Sequence, residues 1–241
     1  MTWFDAINHA MATMSTGGFS TKNASVAHYD AFPIIQYIII VFMFIAGANF
    51  VLTYFALKGK IRKVFKSEEF KYYFFGIIGV SLLITFLIVN FQDVNLQTSL
   101  QHTYPLGETE NAFRQATFSV VSVLTTTGFV SADFTMWNSM ITAIMFSLFF
   151  IGGSAGSTSG GIKVVRHIVM IKSSFYEFKK LLHPNAIIPV RYDGGSVPKT
   201  IIYNILSFFV LYMLIFIVSS MLLTFFGLDF QSALGAAASS L

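Results

Sequence analysis

"VVSVLTTTGFVS", residues 120 to 131, runs from branched apolar side chains straight into three threonines, a glycine and a phenylalanine. Threonine triplets are common on solvated loops, but the surroundings of this one are apolar. Of the 241 residues, 55% are hydrophobic and only 11% charged, with 28 phenylalanines. A soluble domain cannot hide that much apolar surface, so lipid must be the solvent for most of it. About 20 apolar residues cross the hydrocarbon core. Residues 34 to 57, 72 to 91 and 201 to 226 meet that length without a charged side chain. A fourth candidate, 140 to 171, is interrupted by "GGSAGSTSGG" at 152 to 161. No continuous lipid-facing helix tolerates such a stretch without cover from protein or water.

Basic residues set the orientation. Lys58, Lys60, Arg62, Lys63, Lys66 and Lys71 fill one connection, and Lys163, Arg166, Lys172, Lys179, Lys180, Arg191 and Lys199 fill another. The positive-inside rule makes both cytoplasmic. The net charge of +4 is thus a topology signal, and no nucleic-acid partner is expected; membrane lipid is. Without cysteine, disulfide and thiolate chemistry are excluded.

Two outward segments then share one plan. An amphipathic stretch too short to span, 3 to 14 or 112 to 124, enters "MSTGGFST" at 14 to 21 or "LTTTGFVS" at 124 to 131. Setting Gly18 on Gly128 also sets Thr16 on Thr126 and Phe19 on Phe129, and the helices that follow agree, "FIAGANF" at 44 to 50 pairing with "FIGGSAG" at 150 to 156. This is an internal repeat. A third copy begins with 201 to 226 and "GLDFQSALGAAASSL", so the chain reads as an internal fragment of a longer protein. The expected fold class is an all-α polytopic membrane protein of repeated span, pore-helix, span units, as in potassium channels.

A half-spanning helix that stops in the membrane leaves its last carbonyls unpaired and points the negative end of its dipole inward. If the chain then returns outward in extended form, its carbonyl oxygens can replace a cation's hydration shell. Glycine opens the backbone angles this requires, and threonine hydroxyls can add ligands or brace the turn. Neutral carbonyls suit a monovalent ion, whereas calcium or zinc would call for carboxylates or imidazoles. Asp133 lies five residues beyond Gly128 and His9 nine before Gly18, so neither adjoins a turn in sequence. The expected ion ligands are the backbone carbonyls of Thr16, Gly17, Gly18, Thr126, Thr127 and Gly128, holding a monovalent cation, with no other metal and no cofactor.

"STGGFST" at 15 to 21, "LTTTGF" at 124 to 129 and above all "FFIGGSAGSTSGGIKVVR" at 149 to 166 make the chain similar to TrkH-type membrane subunits of the Trk/Ktr/HKT potassium-transporter superfamily. The resemblance covers essentially the whole chain. It implies four repeats around one pore, with 1 to 66 the end of the second, 67 to 182 the third and 183 to 241 the start of the fourth. The first repeat and the fourth filter turn are absent. It implies potassium uptake across the bacterial inner membrane by a multi-pass homodimer under a cytoplasmic nucleotide-binding subunit of the TrkA or KtrA type. It also makes Gly152, Gly153, Ser154, Ala155, Gly156, Ser157, Thr158, Ser159, Gly160 and Gly161 a gating loop, with Lys163 and Arg166 coupling it to the cytoplasm or a partner.

Other readings use the same residues. Small residues also permit close helix crossings, and the lysines and arginines also serve as cytoplasmic anchors. Asn49 is expected to bond between helices. "GSTSGGIK" at 156 to 163 fails as a phosphate loop because Ile162 stands where lysine is required. A serine nucleophile at 154 lacks a base, since His167, the nearest histidine, belongs to the cytoplasmic side. No enzyme is therefore expected. A cation-coupled secondary transporter with broken helices explains 152 to 161 well and the paired turns poorly.

Overall fold

A computed structural model describes residues 1–90, 106–182 and 189–241 of the chain. Helix α1 (Trp3–Met14) is opened by a capping box in which Thr2 and Asp5 satisfy each other's backbone N–H groups. A turn and a 3₁₀ segment (Ser25–Tyr29) lead to α2 (Pro33–Gly47), with proline in its first turn, and α3 (Phe50–Leu57) follows. The short basic α4 (Ile61–Lys66) precedes the long apolar α5 (Glu68–Asn90). Then come α6 (Glu108–Leu124), α7 (Ser139–Leu148) and, after an irregular stretch, α8 (Val164–Leu182). A two-stranded antiparallel hairpin, β1 (Arg191–Tyr192) and β2 (Gly195–Ser196), joins these to α9 (Lys199–Phe225) and α10 (Phe230–Ser240).

The predicted span 72 to 91 is the body of α5, its last residue lying outside the described residues, and 201 to 226 is α9. The predicted outward segment 92 to 138 is described only from residue 106, and the linker after α8 only from residue 189. The interruption at 152 to 161 separates α7 from α8. One expectation is corrected. Residues 34 to 57 do not form one helix, for α2 and α3 meet at a bend of 114°. The cause is local. The Gly47 carbonyl accepts from Ser154 N–H at 2.9 Å, and Asn49 Oδ1 accepts from Val51 N–H at 2.9 Å to start a new helix. Asn49 therefore caps α3, and its side chain also bonds Glu69 of α5.

The core forms around α6, enclosed by α2, α5 and α7, with Met43, Ile84, Phe118, Val120, Ile141 and Met145 buried. Helix α6 is polar for a buried element, and its polar groups are paired. Arg114, fully buried, donates to Asp30 Oδ1 at 2.7 Å, to Glu110 Oε1 at 3.0 Å, to Asn111 Oδ1 at 2.8 Å and to Gln36. Burial of a guanidinium is tolerated only with such partners. Together these bonds pin the outer half of α6 to the start of α2.

Candidate functional site

The short helices α1 and α6 end in the same way. After α1, Thr16 N–H donates to the Thr13 carbonyl at 3.2 Å and Gly17 N–H to the Ala12 carbonyl at 2.8 Å; after α6, Thr126 N–H donates to Val123 and Thr127 N–H to Ser122, both at 2.9 Å. Each pair is a Schellman cap. The position that usually takes glycine is threonine in both, with φ of 52° at Thr16 and 54° at Thr126. A left-handed β-branched residue is an outlier that costs about 1–2 kcal/mol and persists only where the surroundings enforce it. Two residues later the backbone is left-handed again, at Gly18 (66°) and Gly128 (81°).

What enforces these turns is the stretch from 152 to 161. Thr16 Oγ1 shares its proton between the Ser15 carbonyl at 2.7 Å and the Thr158 carbonyl at 3.1 Å, and Thr126 Oγ1 accepts from Gly160 N–H at 2.6 Å. Thr158 Oγ1 contacts the carbonyls of Met14 and Ala46 at 3.3 and 3.2 Å. Phe50 N–H donates to the Gly156 carbonyl at 3.2 Å, and Gly153 N–H to Ser159 Oγ at 3.0 Å. Both ends are stitched as well: Gly152 N–H meets the Ile162 carbonyl at 2.8 Å, and Val164 N–H the Gly153 carbonyl at 3.1 Å. Irregular backbone at membrane depth needs such partners. Glycine at 152 follows from proximity, because a Cβ there would lie 2.2 Å from the Gly160 carbonyl oxygen.

The two turns touch. A Cβ on Gly18 would lie 1.9 Å from the Thr127 carbonyl oxygen. Threonine hydroxyls brace the second turn from behind, with Thr125 Oγ1 bonding both the Val121 carbonyl and Thr127 Oγ1 at 2.7 Å. Ser122 Oγ takes the Phe129 carbonyl at 2.7 Å. By contrast, the carbonyls of Thr16, Gly17, Gly18, Thr126, Thr127 and Gly128 accept no hydrogen bond from any described residue. The structure thus gathers all six predicted ligand residues at one place, on top of the loop predicted to gate them.

The other predicted positions divide. Lys163 reaches into the loop, its Nζ donating to Ser159 Oγ at 3.2 Å, to Ser157 Oγ at 3.4 Å and to the carbonyls of Ser157 and Ser159. Arg166 does not; its guanidinium stacks 3.8 Å over the Phe208 ring of α9. His9, distant from the first turn in sequence, lies against it in space, with Nε2 2.8 Å from Ser20 Oγ and its ring stacked on Phe129 at 5.8 Å. Helical spacing brings His9 to the face that the returning chain crosses. A residue that sequence reasoning missed is Glu69, whose Oε1 accepts Ala155 N–H at 2.6 Å. An acidic residue in the otherwise basic connection at 58 to 71 was the available signal.

A third short helix completes the arrangement. Asp229 caps α10 by accepting from Ser232 N–H at 3.0 Å, a bond that holds its carboxyl below the usual range. Between the end of α10, the second turn and the loop lies a cavity of about 460 Å³, lined by Thr126, Gly128, Gly160, Gly161, Ala238 and Leu241 among others. Among the described residues no cluster of His, Asp and Glu could hold a metal ion.

Comparison with known proteins gives one answer. The sequence model of the TrkH family, described as cation transport protein, matches residues 1–241. The chain is 35% identical over 239 residues to the Trk system potassium uptake protein TrkH of Escherichia coli K12, covering 99% of this chain and 47% of that protein. It is 36% identical to the Salmonella typhimurium TrkH with the same coverage. The crystal structure of the potassium transporter TrkH from Vibrio parahaemolyticus superimposes with a TM-score of 0.87 at 34% identity, over 99% of this chain and 49% of that one. The chain spans about half the length of the curated relatives it matches.

Proposed function

The chain belongs to the TrkH family of cation transport proteins, and from that premise we propose that it forms part of the wall of a potassium pore in the bacterial inner membrane. The ion is stripped of water by the backbone carbonyls of Thr16, Gly17, Gly18, Thr126, Thr127 and Gly128. Passage is controlled by the loop from 152 to 161. Three units follow: 1–66 and 67–182 each contribute a short helix, a turn and a broken span, and 183–241 opens a further repeat. The single observation that carries this reading is the pair of matching turns with six carbonyls that accept no hydrogen bond from the described residues. In lipid such groups would cost several kcal/mol each, so water or a cation must satisfy them. Short helices aim their carbonyl ends at the same place, adding dipole attraction for a cation.

In this reading the loop beneath closes the path, a role supported by its bonds to both turns at once. Gating therefore means breaking those bonds from the cytoplasmic side. Lys163, fixed in the loop and adjoining α8, transmits that movement. A homodimer with a cytoplasmic nucleotide-binding subunit of the TrkA or KtrA type would supply the force, docking on the basic residues of 58 to 71 and 163 to 199. Flux measured in cells that depend on this protein for potassium tests the core of the reading. Gly128 has open space for a side chain but a φ of 81°, so Gly128→Ser distorts the carbonyl path without a clash. Discrimination against sodium should fall by about tenfold, the equivalent of roughly 1–2 kcal/mol of backbone strain. Unchanged potassium-to-sodium selectivity at normal abundance would contradict the assignment.

A further inference from the structure

Glu69 is the second residue of α5 and only 4% exposed, in a part of the chain where lysines and arginines otherwise dominate. Burial of a carboxylate is costly unless its oxygens are bonded. Its Oε1 accepts the N–H of Ala155 at the middle of the loop, at 2.6 Å, and the carboxylate also bonds the side chain of Asn49, the cap of α3. A charged acceptor makes this a stronger bond than a neutral one. The same loop is also gripped by the Lys163 ammonium, which spans Ser157 and Ser159. An anion fixed on α5 and a cation fixed just before α8 thus both hold the loop.

The neighbouring residue connects this grip to the cytoplasmic face. Glu68 N–H donates to Asp193 Oδ1 of the β1–β2 hairpin at 2.7 Å, and the Glu68 carboxylate pairs with Lys172 of α8. Lys172 Nζ also donates to the Arg191 carbonyl at 3.0 Å. One turn of α5 is therefore bonded to the hairpin and α8 through residue 68, and to the loop through residue 69.

We propose that Glu69 is the latch of the gate: its carboxylate holds the loop in the blocking position through Ala155 N–H, and Glu68, Lys172 and Asp193 tie that latch to the cytoplasmic hairpin. Displacing the hairpin or α8 shifts the first turn of α5 and withdraws the carboxylate from the loop. The inference rests on the gating role of 152 to 161 and assigns Glu69 a positioning role in it, with no contact to the ion.

Rubidium uptake and potassium-to-sodium discrimination in cells dependent on this protein separate the latch from the gate. Glu69→Ala should raise basal uptake by about an order of magnitude, as expected for a lost hydrogen bond to a charged group, with ion discrimination unchanged. Mere structural damage would lower uptake instead. Glu69→Gln, which keeps a neutral acceptor of the same shape, should give a smaller rise and serves where the alanine variant fails to reach the membrane. Removal of Ser157 to Ser159 provides the reference and should raise uptake and blunt the response to nucleotide. If that deletion raises uptake while Glu69→Gln and Glu69→Ala, at normal abundance, leave it at the parent level, the latch is wrong and the gate stands. If neither the deletion nor the Glu69 variants change uptake, the gating role fails, and the latch with it.

Discussion

Thr16 and Thr126 share a backbone conformation that β-branched residues avoid, and each is held there by a hydrogen bond to the loop below. The pairing of these threonines was legible in the sequence because both turns carry the same residues at the same offset from a short helix. Their function as hydroxyl links to the loop was not, since the contacts join residues 16 and 158, and 126 and 160, which no local pattern relates. Adjacent glycines illustrate how different two positions of one motif can be. A Cβ on Gly17 would meet Ser15 Oγ at 3.2 Å, an atom that can rotate aside, whereas one on Gly18 would meet the Thr127 backbone oxygen at 1.9 Å with φ at 66°. Gly18→Ala should therefore abolish most potassium uptake, or prevent assembly, while Gly17→Ala retains at least half of the parent rate. Uptake and membrane abundance measured side by side check both, and equal effects would show that the two turns do not touch as described.

Helices α2 and α3 show where reading by element was incomplete. Residues 34 to 57 look continuous because every side chain is uncharged, and hydropathy does not register a change of direction. The alignment of "FIAGANF" with "FIGGSAG" held the missing signal, since it places Gly47 opposite Gly153, next to a stretch already recognised as broken. In three dimensions those partners meet, Ser154 N–H bonding the Gly47 carbonyl. The bend is stabilised by Asn49, the N-cap of α3. Asn49→Ala should destabilise the protein by about 1 kcal/mol, the usual cost of losing a cap, with ion selectivity preserved. Thermal unfolding in detergent would reveal it, and an unchanged midpoint would mean that the loop contacts alone fix the bend.

At the scale of the whole molecule, charge placement and burial agree. Basic residues collect at the ends of α3, α4 and α8, as the positive-inside rule requires. Lys22 and Arg114, the two outside those clusters, are paired with Asp5 at 3.6 Å and with Asp30 and Glu110. Architecture and the position of the carbonyl turns were thus legible from composition, repeat and turn chemistry. The Arg114 network and the Glu69 contact were not, because both depend on which helix packs beside which. The turn after α1 meets the turn after α6, and the end of α10 lines the cavity beside the second of them. The central claim is that the six carbonyls at 16 to 18 and 126 to 128 coordinate a monovalent cation. Crystals of the protein soaked with thallium or rubidium test it most directly through anomalous scattering. The account predicts a peak within coordination distance of those carbonyls, lost when the same crystals are grown in sodium alone. Anomalous density confined to other parts of the molecule, with these carbonyls unoccupied, would contradict it.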